Sequence, residues 1–306
     1  MIGYYVHHHG RGHQHRAQAL VHALDEEVVG LSSLPRPADW SGRWVELERD
    51  DLASPAGDPT AGGRLHWVPT GDPGLSRRMR QLSTWLDEAR PRLLVVDVSV
   101  EAALLARLHG VPVLVVMQPG RRDDPAHLLG YDVADRLVAF WPPAATADLL
   151  PGLPDRLRDR VQAVGALSRF PVAPPSRRRP GPRRAVVLSG AGGPELTRAP
   201  LPGWEWTVLG RSSWRDDPRA VLADADVVVT HAGQNAVAEV AALRRPAVVV
   251  AQDRPHDEQR VTAAVLRAGD WPVADEVAHA AELDGDRWSA WCDGDAAHRF
   301  AAVVAA

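Results

Sequence analysis

The segment DVVVTHAGQNAVAEVAALRRPAVVVAQDRPHDEQR, residues 226–260, decides the fold. Its first five residues are mostly valine, the composition of a strand covered on both faces. His231 ends that run, small residues follow, and from about Asn235 the apolar residues Val237, Val240 and Ala241 recur at helical spacing. A second valine run follows Pro246. Strand, tight turn, helix and strand in this order make a βαβ unit, and hence a parallel sheet. The helix start beside the strand end is an anion site, because unpaired amide N–H groups and the helix dipole both point there. A phosphate is the ligand that suits it. His231 and Asn235 are placed to donate to that phosphate, and Glu239, one turn deeper, to accept from vicinal hydroxyls such as those of a ribose. Beyond the second strand, Asp257, Glu258 and Gln259 form a set suited to sugar hydroxyls.

Outward from this unit the same alternation repeats. AVVLSGAGG (185–193) and WEWTVLG (204–210) read as further strands of the same sheet. Before residue 170 a separate set appears: IGYYV (2–6), LLVVDV (93–98) and PVLVVM (112–117), the last two joined by the helical VEAALLARLHG with Gly110 as its stop. Between the sets, FPVAPPSRRRPGPRR (170–184) loses apolar periodicity and fills with proline and arginine, as a linker does. The expectation is an α/β chain of two doubly wound, Rossmann-like domains, residues 1–170 and 185–285, with a linker at 171–184 and a closing helix at 286–306. Ligands in such sheets lie outside the carboxyl ends of the strands, so two of them are expected to face each other across a cleft.

Composition narrows the function. At 306 residues the chain suits two domains, and its net charge of −4 argues against a nucleic-acid partner. The arginines of the linker read as a solvated connector in preference to an anionic-membrane patch, because no amphipathic anchor adjoins them. A single cysteine, Cys292, excludes an internal disulfide and fits the reducing cytoplasm. There is no lysine, so no Schiff base or lysine nucleophile is available. No run reaches the roughly 18 apolar residues of a membrane span.

The N-terminal stretch YYVHHHGRGHQHRAQALVHAL (4–24) carries His7, His8, His9, His13 and His15 between the first strand and the first helix. Consecutive histidines on a strand end point alternately to opposite faces, whereas a metal wants donors converging from separate elements, so no metal site is expected. His13 opens the helix, and an imidazole is the side chain best suited to act as a general base near neutral pH. Asp97 ends the LLVVD run and is the candidate to orient it.

The pattern His231, small, Gly233, x, Asn235, small, x, x, Glu239, followed by Pro246 and Glu258-Gln259, resembles the donor signature of GT-B nucleotide-sugar glycosyltransferases. It is similar both to the natural-product enzymes and to the N-acetylglucosaminyltransferase of peptidoglycan synthesis. The resemblance implies that His231 and Asn235, with backbone from Gly233 and Ala236, hold a diphosphate, that Glu239 takes the ribose, and that Glu258 and Gln259 take the transferred sugar. Gly190, in the turn SGAGG, resembles the Gly-rich donor contact of that fold, and the loop at 210–218 resembles the one that reaches the base. Ala232 and Ala236 depart from the pattern, since glycine, serine or threonine is common there.

Gly10 and Gly12 before His13 resemble the family's N-terminal Gly-x-Gly-His turn, with Asp97 matching the aspartate paired to that histidine in the natural-product branch. His9, Gly12 and Arg16 are the candidates for acceptor or phosphate contact. The implied activity is an inverting, metal-independent and cofactor-free transfer from a uridine or thymidine diphosphate sugar to a hydroxyl or amine acceptor, small or lipid-linked, the latter implying peripheral membrane contact. Two rivals share the site. Water as acceptor would make a nucleotide-sugar hydrolase, which the run GHQHR also fits, and loss of turnover would leave a nucleotide-sugar-binding protein.

Overall fold

In the computed structural model, the described residues are 1–306 apart from 10–11, 53, 56, 175–180, 191–193, 197–200 and 216. Gly10, most of SGAGG and the middle of the linker therefore lie outside them. The chain forms two compact units, each built on its own sheet.

The first unit comprises Met1–Ala139, Pro151–Gln162 and Ala297–Ala306. Its strands are β1 (Ile2–Val6), β2 (Val28–Ser32), β3 (Trp44–Glu46), β4 (Leu94–Asp97), β5 (Val113–Val116), β6 (Arg136–Ala139) and β7 (Val161–Ala163), in the spatial order 3-2-1-4-5-6-7. Pairing is parallel from β3 through β6. β1, β2, β4 and β5 are buried at every position, which is why they read as unbroken apolar runs. Helices start where the sequence supplies a cap. The carboxylate of Asp72 accepts from Leu75 N ahead of Pro73 in helix Pro73–Ala89, and Ser99 Oγ accepts from Ala102 N in helix Val100–Leu108.

The second unit comprises Phe140–Leu150 and Ala163–Ala296. Strands β8 (Arg183–Leu188), β9 (Trp204–Leu209), β10 (Val227–His231), β11 (Ala247–Val250) and β12 (Val273–Ala274) lie in the order 12-11-10-8-9, all parallel. Alternate residues Ala185, Val187, Val227 and Val229 pack with Val248, Val277 and Ala280 into one core layer.

The division of the chain differs from the expected one at three places. Residues 140–150 and 163–170 belong to the second unit, tied in by Gly165 N donating to Trp141 O and Ala166 N to Trp291 O. β8 opens at Arg183, inside the expected linker. The last helix, Ala296–Ala305, packs back onto the first unit, where Arg92 and Arg136 donate to the carbonyls of Val303 and Val304. Apolar periodicity locates an element but not the sheet it returns to, so crossings of this kind escape a sequence reading. No helix among the described residues is long and apolar enough to cross a membrane.

Phe300 in that last helix is fully buried. Phe300→Ala is expected to destabilise the first unit by about 3–5 kcal/mol, the usual cost of truncating a buried phenylalanine, measured as a lowered urea midpoint.

Candidate functional site

Each sheet has one place where the strand order reverses. In the first, β1 runs on to β2 and β3 on one side while β4 starts the other, so the reversal lies between β1 and β4. In the second it lies between β8 and β10. The crossovers leave the sheet in opposite directions at these points, opening a crevice at the carboxyl ends of the two strands. The candidate residues gather at both.

At the first reversal, Val6 is in register with Asp97, the last residue of β4. The chain leaves β1 through the histidines and enters helix Gly12–Val21, whose first five residues include His13 and Arg16. His13 Nδ1 lies 2.9 Å from Asp97 Oδ1, and Arg16 Nη1 donates to the same oxygen at 2.9 Å. Asp97 is fully buried. Burial alone would raise its carboxyl, but the charges of Arg16 and His13 outweigh burial and hold it below the usual range. An ionised Asp97 makes His13 Nδ1 the donor and leaves Nε2 as the basic nitrogen. Arg16, read from sequence as a phosphate or acceptor contact, is instead turned inward onto Asp97 and buried. His9 is exposed, with Nε2 2.8 Å from Asp51 Oδ2. Gly12 starts the helix.

His7 packs edge-on against His13, with ring centroids 5.7 Å apart. Its own ring is held neutral, with a pKa of about 3, by burial first and then by the neighbouring imidazoles.

At the second reversal, Thr230 Oγ1 donates to Leu188 O across β10 and β8. His231 follows. Gly233 N donates to His231 Nδ1 at 3.1 Å, so the ring proton sits on Nε2. A Cβ on Gly190 would lie 2.5 Å from that Nε2, and one on Gly233 would lie 2.7 Å from Nδ1. Glycine on both sides lets backbone close on the imidazole. Burial, reinforced by the charge of Arg254, lowers the His231 pKa to about 4, so at neutral pH it is a neutral N–H donor. Helix Gln234–Ala242 starts at Gly233 without a side-chain cap, and its first internal bond runs from Val237 N to Gly233 O. The amides of Gln234, Asn235 and Ala236 thus point out of the helix end.

Glu239 lies one turn on, nearly buried, with Oε1 accepting from Arg169 Nε at 2.8 Å. Burial raises its pKa and Arg169 opposes the rise. Arg169 was invisible in sequence, because it stands just ahead of the expected linker and far from Glu239 along the chain. Glu258 opens helix Glu258–Ala268 and is half-buried. Gln259 is buried and largely spent on structure, its Oε1 accepting from Gln252 N at 3.0 Å and its Nε2 standing 3.5 Å from His231 Nδ1. Gln259 thus ties the end of β11 to the turn around His231.

Residues 208–279 match the glycosyltransferase family 28 C-terminal domain, a span that holds every residue from His231 to Gln259. No curated protein sequence matches the chain. Among solved structures, the glycotransferase of kitacinnamycin is 19% identical with a TM-score of 0.67, over 99% of this chain and 97% of its own. Acinetobacter baumannii MurG is 14% identical with a TM-score of 0.66, over 99% and 98%. The spinosyn rhamnosyltransferase SpnG, complexed with thymidine diphosphate, is 16% identical with a TM-score of 0.59, over 99% and 95%.

The depressed histidines set a pH dependence. His231, His7 and His127 have folded pKa values of about 4, 3 and 3, against about 6.5 when unfolded. Between those values the unfolded chain binds protons that the folded one refuses. Their contribution is intact above pH 6.5 and is lost as pH falls toward 4. The urea midpoint is expected to drop between pH 7 and 5, and His231→Gln to shallow that slope. Taken together, the chain has the two-sheet GT-B fold of these solved structures, and its residues 208–279 match the glycosyltransferase family 28 C-terminal domain.

Proposed function

We propose that the chain transfers a sugar from a nucleotide diphosphate sugar, of the uridine or thymidine class, to a hydroxyl or amine acceptor with inversion at the anomeric carbon. The observation that carries this reading is the second reversal point. There an imidazole N–H, held toward the strand ends by Gly233 N and given room by Gly190, stands beside an uncapped helix start. Backbone amides and a neutral N–H suit a diphosphate that gains charge as it leaves. These donors need no metal to meet that charge. The matched family segment and the thymidine diphosphate seen in SpnG support the donor class.

The first unit supplies the base. His13 Nε2 takes the proton of the acceptor hydroxyl, and the oxygen attacks the anomeric carbon. The bond from that carbon to the diphosphate breaks, with the electron pair leaving on the phosphate oxygen. Asp97 stabilises the imidazolium, and Arg16 keeps Asp97 ionised for that task. In the second unit Glu239 accepts from the ribose through the oxygen that Arg169 does not take, and Glu258 meets the sugar. The acceptor is a small molecule or a lipid-linked one, the latter calling for peripheral contact with a membrane. A lone buried Cys292 suits work in the cytoplasm. Water in place of the acceptor would make a hydrolase, a reading that Arg16 behind the His13–Asp97 pair also fits.

Calorimetric titration with uridine, thymidine, guanosine and adenosine diphosphate sugars, without acceptor, tests the reading. One base class is expected to bind, Glu239→Ala to weaken it at least tenfold, and His13→Ala to leave binding intact. Turnover with acceptor is expected to fall about 10²–10⁴-fold in His13→Ala, the usual share of a general base, and to persist in a chelator. Failure of the whole panel to bind, or unchanged binding by Glu239→Ala, overturns the donor assignment. Rapid release of nucleotide by the wild type without acceptor makes the protein a hydrolase.

A further inference from the structure

His8, His9 and Asp51 have no part in the chemistry above, yet they converge. His8 Nε2 is 3.4 Å and His9 Nε2 2.8 Å from the same Asp51 Oδ2, and the three donor atoms all lie within 4.8 Å of one another. β1 ends at Val6, so residues 8 and 9 sit in a bend where strand alternation no longer applies, and their rings stand 4.4 Å apart. The third donor comes from a separate element, the turn beyond β3, which a sequence reading could not place. His8 is more than nine-tenths buried, and neither of its ring nitrogens finds a hydrogen-bond partner among the described residues. Its Nε2 is aimed between Asp51 and Asp50, whose Oδ1 is 3.7 Å away. A buried polar atom left unpaired costs about 1–3 kcal/mol, so such an atom facing two carboxylates marks a place where a cation would be bound.

We propose that His8, His9 and Asp51 bind a divalent transition-metal ion of the zinc type. Two imidazoles and one carboxylate are the donors such ions favour, whereas magnesium and calcium take oxygen alone. Zinc bonds of about 2.0–2.1 Å at tetrahedral angles put donor atoms about 3.3 Å apart, close to the separations from Asp51 to the two rings. Asp50 or water completes the shell. Arg49 competes for the site, since its guanidinium holds both oxygens of Asp51 at 2.8 and 2.6 Å. It is largely exposed and free to swing away. A second cluster, His66, Asp124 and His127, brings donors equally near but does not suit a metal. There buried Arg122 Nη1 stands 2.9 Å from His127 Nε2, which must therefore accept, and the ring proton faces Asp124 from Nδ1 at 2.5 Å. A metal on Nδ1 would drive an N–H into the Arg122 N–H.

Zinc binding to the full, untagged chain tests the proposal, by equilibrium dialysis and by the visible absorption of a cobalt-substituted sample. One ion per chain is expected, with tetrahedral cobalt bands. His9→Gln and Asp51→Asn, both at accessible positions and checked for folding by circular dichroism, should each weaken zinc at least tenfold. Arg49→Ala should tighten it, and His66→Ala and His15→Ala should leave it unchanged. Absence of stoichiometric binding overturns the proposal, as does binding that survives both His9→Gln and Asp51→Asn.

Discussion

A parallel strand cannot reach its neighbour by a tight turn, and the rest of this structure depends on that constraint. Each crossover must carry a segment over one face of the sheet and return it with the same hand. A sheet that grows outward from a central strand in both directions has one position where neighbouring crossovers diverge. β1 and β4 hold it in the first unit, β8 and β10 in the second. Loops at that position are not covered by a neighbouring crossover, so polar side chains can stand at the sheet end without being sealed into the core. His13, Asp97, Gly190 and His231 stand at these two positions.

Electrostatics then divides the labour between the two positions. At the first, a buried carboxylate is kept ionised by a guanidinium three residues along the helix from the histidine it also serves, so both partners reach one oxygen. Leaving Asp97 buried without them would cost several kcal/mol. At the second, the dominant effect is desolvation, which keeps His231 neutral. A neutral donor beside helix amides can meet an anion without a counter-charge of its own. In the proposed reaction the first position gains a proton and the second donates hydrogen bonds.

Much of this was legible in the sequence. The valine runs of β10 and β11 and the spacing from His231 to Glu258 disclosed the second unit, because burial on both faces leaves an unmistakable apolar run. Asp97 was legible as a strand-end carboxylate for the same reason. β2, with Gly30 in its middle, and the three-residue β3 were too short or too broken to declare themselves. Helix Pro73–Ala89 carries its signal in Asp72-Pro73, a cap followed by a favoured first residue, and not in a long apolar run. The contacts of Arg169, Arg16 and Asp51 were beyond reach for a different reason, although Arg16 itself was a candidate. Their roles are set by partners 70, 81 and 42 positions away, and no local pattern encodes such a pairing.

Local strain at both positions follows from the same placement. Val98, immediately after Asp97, has φ of 62°, a left-handed conformation that a β-branched residue resists. His256 and Asp257, immediately before Glu258, have φ of 60° and 52°. Each such residue costs on the order of 1–3 kcal/mol and persists only where its surroundings over-determine it. Here the surroundings are plain. Asp97 is fixed by His13 and Arg16 on one side of Val98 while Ser99 is fixed as a helix cap on the other, so Val98 alone must absorb the turn. At the other position Gln259 is anchored by Gln252 N, and the short return from β11 into the helix is closed by two successive left-handed residues. In each unit a left-handed residue thus adjoins a carboxylate of the candidate site, Val98 after Asp97 and Asp257 before Glu258, where the contacts on either side leave the turn to that residue.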